Sequence, residues 1–103
     1  MEIEFLYFSG CPNSPTALRR LTELLESEAV SASIRQIEVL TVDQANETRF
    51  LGSPSIRIDG DDIEPKARGC LDYGLMCRTY EGGSGVPSVD LVTKAIREHS
   101  ITD

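Results

Sequence analysis

The sequence predicts an α/β domain built on a mixed four-stranded sheet with helices packed on it. A short apolar run at residues 3–8 precedes an amphipathic stretch at 16–28 and a second apolar run at 34–40, which is the order of a strand, a helix and a parallel strand. The dipeptide Asp59-Gly60 follows alternating apolar residues and is the strongest short signal for a β-hairpin. These observations indicate the element order β-α-β-α-β-β-α.

The first half of the chain has the clearest periodicity. Residues 3–8 form an apolar and aromatic run that ends at Ser9-Gly10, as a strand followed by a turn does. Between residues 16 and 28 apolar residues recur at helical spacing, and charged residues fill the opposite face. Residues 34–40 alternate well enough for a second strand.

The second half predicts a short helix, a hairpin and a last helix. Asp43 is expected to cap the short helix, which runs to about residue 50. Residues 55–58 are the third strand, and residues 61–64 are a short, polar return strand at the edge of the sheet. Ser88 is expected to cap the last helix.

Residues 65–87, hereafter the long segment, have no clear period. They end in the flexible stretch Gly82-Gly83-Ser84-Gly85. Tyr73 and Tyr80 are expected to pack the long segment against the rest of the domain. Loops of this length without regular structure are often functional.

Composition and charge predict a cytoplasmic protein without nucleic-acid or membrane partners. A chain of 103 residues suits one domain, residues 1–103, and is too small for two. Its net charge of −7 argues against binding to nucleic acid or an anionic membrane, because either requires a basic patch. No stretch approaches the roughly 18 apolar residues of a membrane span, and the acidic N-terminus is unlike a secretory signal. The sequence does not indicate an oligomeric state.

Cys11 follows the first strand in the stretch Cys11-Pro12-Asn13-Ser14. The thiolate is the reactive form of cysteine, and a helix N-terminus stabilises it through unpaired backbone N–H groups and the helix dipole. Two helix starts compete here. A start at Cys11 puts Pro12 at the first helical position, whereas a start at Ser14, with Pro15 next, leaves Cys11 one turn upstream.

The element order, the Cys11 motif and the Ser53-Pro54 pair before the third strand resemble the thioredoxin-like superfamily. The resemblance covers nearly the whole chain apart from the long segment. It implies that Cys11 is the nucleophile, that Pro54 is a cis-proline packed against it, and that the helix starts at Cys11. Ser14 stands where a dithiol protein has its second cysteine, and a hydroxyl cannot form a disulfide. The motif is therefore limited to monothiol chemistry or to a resolving cysteine from elsewhere.

Cys70 and Cys77, in the long segment, are the other two of three cysteines. An odd number is unlike a secreted disulfide scaffold, and cysteines in a reducing cytoplasm begin as thiols. Three interpretations stay open. These cysteines are buried structural thiols, or one of them resolves a mixed disulfide on Cys11, or Cys11, Cys70 and Cys77 bind a soft metal such as mercury, zinc or copper(I).

Three stretches, FLYFSGCPN, FLGSPSIRIDG and YGLMCRTYEGGSGVPSVDLVTKAI, resemble a group of small bacterial thioredoxin-fold proteins. Some members of this group carry an alkylmercury lyase-like label. The lyase uses two cysteines and an aspartate that do not map onto this chain residue by residue. The resemblance therefore implies the fold and not the reaction.

Together these features predict a thiol-dependent redox protein that exchanges disulfides through Cys11. Its expected substrate is a small thiol or a protein disulfide, and no cofactor is expected. The candidate catalytic residues are Cys11, Ser14, Pro54, Cys70 and Cys77. The alternatives are a soft-metal or organomercurial binding module that uses the three cysteines, and a redox-inert binding domain that keeps the fold without the chemistry.

Overall fold

The computed structural model describes residues 1–100, and its elements follow the predicted order. The strands are β1 (Glu2–Tyr7), β2 (Ser33–Glu38), β3 (Ser55–Ile58) and β4 (Asp61–Asp62), and the helices are α1 (Ser14–Ser27), α2 (Val42–Thr48) and α3 (Val89–Ser100). A 3₁₀ turn at Pro65–Ala67 lies in the long segment. The α/β class and the mixed four-stranded sheet are confirmed. Of the helices in residues 1–100, none is long and apolar enough to cross a membrane.

The strands lie in the order β2-β1-β3-β4. β1 runs parallel to β2 and antiparallel to β3, so β1 is a central strand. The predicted hairpin joins β3 to β4, and Asp59 and Gly60 in its turn have positive φ values of 50° and 89°, which match the twist of paired strands. β4 ends at Asp62, before the predicted Glu64, because the Asp62 carboxylate accepts a hydrogen bond from the Glu64 N–H at 2.9 Å and turns the chain.

The helix starts follow local side-chain chemistry. At α2 the cap is Thr41, whose Oγ1 accepts a hydrogen bond from the Gln44 N–H at 3.1 Å, so the predicted capping role of Asp43 is wrong. Asp43 instead lies in the first turn, where a negative charge suits the helix dipole. At α3 the prediction is confirmed, because Ser88 Oγ accepts from the Leu91 N–H at 3.1 Å.

Helices cover both faces of the sheet. Ile3 and Phe5 of β1 pair across the sheet with Ile58 and Ile56 of β3, and this face packs against buried residues of α1 and α3 to form the main core. Because side chains alternate along a strand, Leu6 points to the opposite face. There it packs in a smaller cluster with buried residues in and after α2. The loop that carries Cys11 directly follows β1, the strand that contributes buried residues to both clusters.

Candidate functional site

Cys11 lies in the loop between β1 and α1, residues 8–13, hereafter the Cys11 loop. The Cys11 N–H donates to the Phe8 carbonyl at 3.3 Å, which closes a turn directly after the strand. Only 5% of the Cys11 surface is exposed. Cys11 is therefore a nearly buried free thiol, held by the turn that ends the central strand.

Helix α1 begins at Ser14, so the start at Cys11 that the resemblance implies is wrong. Asn13 is the N-cap, and its carbonyl accepts the first helical hydrogen bond from the Ala17 N–H at 3.0 Å. Pro15 lies in the first turn, where a missing N–H costs nothing. The Ser14 hydroxyl donates to the Cys11 carbonyl at 3.2 Å. Cys11 thus lies before the helix, and Ser14 supports the backbone of the loop.

The loop between α2 and β3, residues 49–54 and hereafter the Pro54 loop, lies beside the Cys11 loop. The Ser53-Pro54 peptide bond is cis, as the resemblance implies. The Phe8 N–H donates to Ser53 Oγ at 3.4 Å, which joins the two loops directly. Two residues predicted to belong to one site, Cys11 and Pro54, are therefore carried by loops in contact.

The long segment pairs with the Pro54 loop through the backbone of Ser53. The Ser53 N–H donates to the Met76 carbonyl at 2.9 Å, and the Ser53 carbonyl accepts from the Arg78 N–H at 3.0 Å. These two bonds form an isolated parallel bridge between Ser53 and Cys77. Ser53 therefore lies between the Cys11 loop and the stretch that carries Cys77.

The end of the long segment also reaches the Cys11 loop and α1. The Arg20 side chain of α1 donates from Nη1 to the Pro87 carbonyl at 2.8 Å. Gly85 lies so close to Asn13 that a Cβ at position 85 would run into the Asn13 side-chain amide. The long segment thus contacts both loops of the candidate site.

A buried ion network holds the long segment against β3 and β4. Arg78, which is 6% exposed, donates to both carboxylate oxygens of Asp62 at 2.7 Å and to Ser55 Oγ at 3.1 Å. The Arg78 guanidinium carbon lies 4.3 Å from the centre of the Tyr80 ring. The Tyr80 hydroxyl donates to the Pro54 carbonyl at 2.6 Å. The network therefore links the long segment to both the hairpin and the Pro54 loop.

The electrostatics of this network keep Arg78 charged and Tyr80 neutral. Burial lowers the pKa of Arg78, but the hydrogen bonds to Asp62 and the surrounding negative charge outweigh it, so this pKa lies above its ordinary value. Burial raises the pKa of Tyr80 well above its usual range. The predicted packing role of Tyr80 is confirmed, whereas sequence reasoning missed Arg78 and Asp62, because no motif or period marks them as partners.

Cys70 and Cys77 line one cleft, hereafter the thiol cleft, with a volume of about 300 Å³. Cys70 is partly exposed and Cys77 is exposed, so their interpretation as buried structural thiols is wrong. Asp72 lines the same cleft, and its Oδ2 lies 4.0 Å from Cys70 Sγ. Cys11 does not line this cleft. Two of the three predicted cysteines thus line the same cleft.

A second cleft adjoins the thiol cleft at Cys70 and has a volume of about 250 Å³. We name it the arginine cleft, because Arg49, Arg57 and Arg68 line it. Sequence reasoning missed Arg49 and Arg57. Arg57 lies between two buried isoleucines of β3, and this alternation indicates that its side chain points away from the main core. The sequence pattern does not indicate which residues lie around that side chain.

No group of three or more His, Cys, Asp or Glu side chains in residues 1–100 is arranged to hold a metal ion. The soft-metal site of Cys11, Cys70 and Cys77 therefore stays a prediction without geometric support. The resolving role of Cys70 or Cys77 toward Cys11 also stays a prediction. The structure does define a nearly buried thiol in the Cys11 loop and, in the long segment, the partly exposed thiol of Cys70 and the exposed thiol of Cys77.

Known proteins assign no role to either site. The chain matches no protein-family model, and no curated protein sequence matches it.

Proposed function

We propose that the protein exchanges thiols and disulfides through Cys11, on a fold of the thioredoxin-like type. The main support is that the Cys11 loop and the Pro54 loop lie side by side, joined by the hydrogen bond from the Phe8 N–H to Ser53 Oγ at 3.4 Å. The strand order β2-β1-β3-β4, with one parallel pair and two antiparallel pairs, supports the same fold. Cys11 follows the central strand of that sheet.

The reaction is a monothiol exchange. The Cys11 thiolate attacks one sulfur of a disulfide R–S–S–R, forms Cys11–S–S–R and releases R–S⁻. Ser14 cannot resolve this mixed disulfide, because it has no sulfur and its hydroxyl is bonded to the Cys11 carbonyl. A second thiol from solution attacks the mixed disulfide, regenerates Cys11 and leaves as a new disulfide.

The surroundings of Cys11 favour a small disulfide over a protein disulfide. With 5% of its surface exposed, Cys11 admits only a compact reagent. An extended protein segment would need free backbone groups beside the site in order to pair as an added strand. The Ser53 N–H and carbonyl are already bonded to the long segment, so this mode of docking is blocked.

The test is turnover of bis(hydroxyethyl) disulfide, with reduced glutathione as the second thiol, by full-length variants. The Cys70→Ala/Cys77→Ala variant has Cys11 as its only thiol and is expected to keep about half of the activity or more. Adding Cys11→Ala to it is expected to lower the activity by about tenfold or more. Ser14→Ala is expected to stay within about twofold, because the Ser14 hydroxyl contacts backbone and not substrate.

Labelling with iodoacetamide, followed by mass spectrometry, provides a second readout. Cys11 in the folded protein is expected to be alkylated near neutral pH, more slowly than in urea. Two results contradict the proposal. One is turnover that persists when Cys11→Ala is added to the Cys70→Ala/Cys77→Ala variant, and the other is a Cys11 thiol that reacts only after unfolding.

A further inference from the structure

Cys70 lies where the thiol cleft and the arginine cleft meet. It lines both of them, together with Leu51 and Ala67. Cys70 therefore borders both the cleft that Cys77 lines and the cleft that the arginines line. Cys11 lines neither of these two clefts.

Three arginines and three carboxylates line the arginine cleft, and each of the carboxylates has a basic partner of its own. The Asp62 carboxylate at its wall is already bonded to the buried guanidinium of Arg78. Glu4, which also lines the cleft, lies 3.9 Å from Arg57. A third carboxylate, that of Asp61, lies 3.2 Å from an imidazole nitrogen of α3.

Arg57 has a carboxylate partner in Glu4, whereas Arg49 and Arg68 have none within residues 1–100. Arg68 donates from Nε to the Asp62 carbonyl at 2.9 Å, which holds its side chain at the cleft. Both residues are exposed, so their guanidinium groups are accessible to a ligand.

The charge of the whole chain makes this cleft distinctive. The protein has 10 basic residues against 17 acidic ones, for a net charge of −7, so most of its surface repels anions. Three of the basic residues line this one cleft beside three acidic ones, and Arg49 and Arg68 are the two whose guanidinium groups make no ion pair within residues 1–100. A guanidinium group binds a carboxylate through two parallel hydrogen bonds. A small ligand that carries carboxylates is therefore expected at the arginine cleft.

We propose that Cys70 and Cys77 form a second thiol site, separate from Cys11, that reacts with small disulfides carrying carboxylate groups. Arg49 and Arg68 bind the carboxylate, and the Cys70 thiolate attacks the nearer sulfur of R–S–S–R and releases R–S⁻. Asp72 Oδ2, 4.0 Å from Cys70 Sγ, is within reach of the thiol proton. The arginine cleft thus selects the substrate, and Cys70 starts the reaction.

The second step uses the thiol cleft. The Cys77 thiolate attacks the Cys70 sulfur of the mixed disulfide, expels the second R–S⁻ and forms a Cys70–Cys77 disulfide. Two electrons and two protons pass from the two protein thiols to the small disulfide, which leaves as two molecules of R–SH. This site goes beyond the exchange proposed for Cys11, because it needs no residue of the Cys11 loop.

The experiment uses the full-length Cys11→Ala variant, so that the result is independent of the proposed function. The probes are dithiobis(nitrobenzoate), which carries two carboxylates, and dithiodipyridine, which is uncharged. The anionic probe is expected to release two thiolates per chain and to leave a Cys70–Cys77 disulfide that peptide mass mapping identifies. With Cys77→Ala added, one thiolate is released and the mixed disulfide on Cys70 persists.

Substitution of the arginines tests the selection of the ligand. Arg49→Gln/Arg68→Gln is expected to slow the reaction of the anionic probe by about tenfold and that of the uncharged probe by less than about twofold. Raising the salt concentration is expected to reduce the difference in anionic-probe rate between the protein with both arginines and the Arg49→Gln/Arg68→Gln variant. Arg19→Gln, a change of an exposed arginine on α1 outside both clefts, is the matched control and leaves both rates unchanged.

Two outcomes overturn the proposal. If both probes slow equally in the double arginine variant, the arginine cleft does not select for carboxylates. If Cys70 and Cys77 each carry a separate adduct and no disulfide joins them, the two thiols do not act as a pair.

Discussion

The Cys11 loop and the long segment both carry thiols, yet different forces hold them. The Cys11 loop connects β1 to α1, two elements that each contribute buried apolar residues to the main core. The long segment has a 3₁₀ turn as its regular structure and is held by the buried ion network of Arg78, Asp62 and Tyr80. The Cys11 loop is therefore anchored at both ends by apolar packing, whereas the long segment combines the ion network with the burial of Tyr80 in the main core.

This difference determines how concentrated the stabilisation is in each region. Apolar burial is spread over many contacts of small individual energy. A buried ion pair concentrates its effect in a few atoms, because removing one partner leaves an uncompensated charge in the interior. The long segment, and with it the clefts at Cys70, should therefore be far more sensitive to a single polar substitution than the Cys11 loop is.

The largest expected effect is that of Asp62→Ala. It leaves the Arg78 guanidinium buried without its bidentate carboxylate, and we expect the free energy of unfolding to fall by about 3–5 kcal/mol. Urea denaturation measures this change. Limited proteolysis of the folded fraction is expected to cut first within residues 65–87, because a region with weakened contacts opens before the rest of the domain.

An exposed ion pair in the same region is the matched control. Lys66 and Glu81 lie 3.1 Å apart, but their side chains are 75% and 67% exposed. Lys66→Ala is therefore expected to change the free energy of unfolding by less than about 1 kcal/mol. If Asp62→Ala costs no more than Lys66→Ala, the ion network does not hold the long segment.

The same contrast explains what the sequence could predict. The helix expected at 16–28 is α1, and the Asp59-Gly60 turn is where it was expected, because apolar period and turn chemistry are local properties of the chain. The start of α1 was ambiguous, since two prolines each suit a first turn, and the structure has the start at Ser14. Arg78 and Asp62 lie 16 positions apart and meet only through tertiary packing, which leaves no periodic signal.

A smaller effect is expected at the contact that joins the two regions. Tyr80→Phe removes the hydrogen bond from the Tyr80 hydroxyl to the Pro54 carbonyl at 2.6 Å, and we expect a loss of about 1–3 kcal/mol in the free energy of unfolding. Because Pro54 lies in the loop beside Cys11, alkylation of Cys11 in the folded protein is expected to become faster. Urea denaturation and mass spectrometry measure the two effects.

Tyr73→Phe serves as the control for this prediction, because Tyr73 lies in the same segment but lines the arginine cleft. It is expected to leave the alkylation rate of Cys11 unchanged. Equal rates in the two variants would mean that the long segment does not affect access to Cys11 through Pro54.

The smallest expected effect concerns a polar contact of the regular part of the fold. Glu28, at the end of α1, accepts hydrogen bonds from Arg97 of α3 at 2.6 and 3.2 Å, and the Arg97 side chain is 66% exposed. The hydrogen bond from Arg97 lowers the pKa of Glu28 below its ordinary value of 4.5. Solvent screens such a pair, so its contribution is expected to be far below that of the buried network.

The sign of the pH dependence follows from this shift. A carboxyl group whose pKa is lower in the folded state stabilises the fold above its unfolded pKa, and the stabilisation disappears as the pH falls through the folded pKa. The melting temperature of the protein should therefore exceed that of Glu28→Gln at neutral pH, and the difference should vanish in acid and shrink in high salt. Arg97→Gln should behave in the same way. Two results would contradict the comparison: a difference in melting temperature that grows in acid, or a loss of stability in Glu28→Gln as large as that in Asp62→Ala. Either result would mean that the helices of the regular fold depend on a single ion pair as strongly as the long segment does.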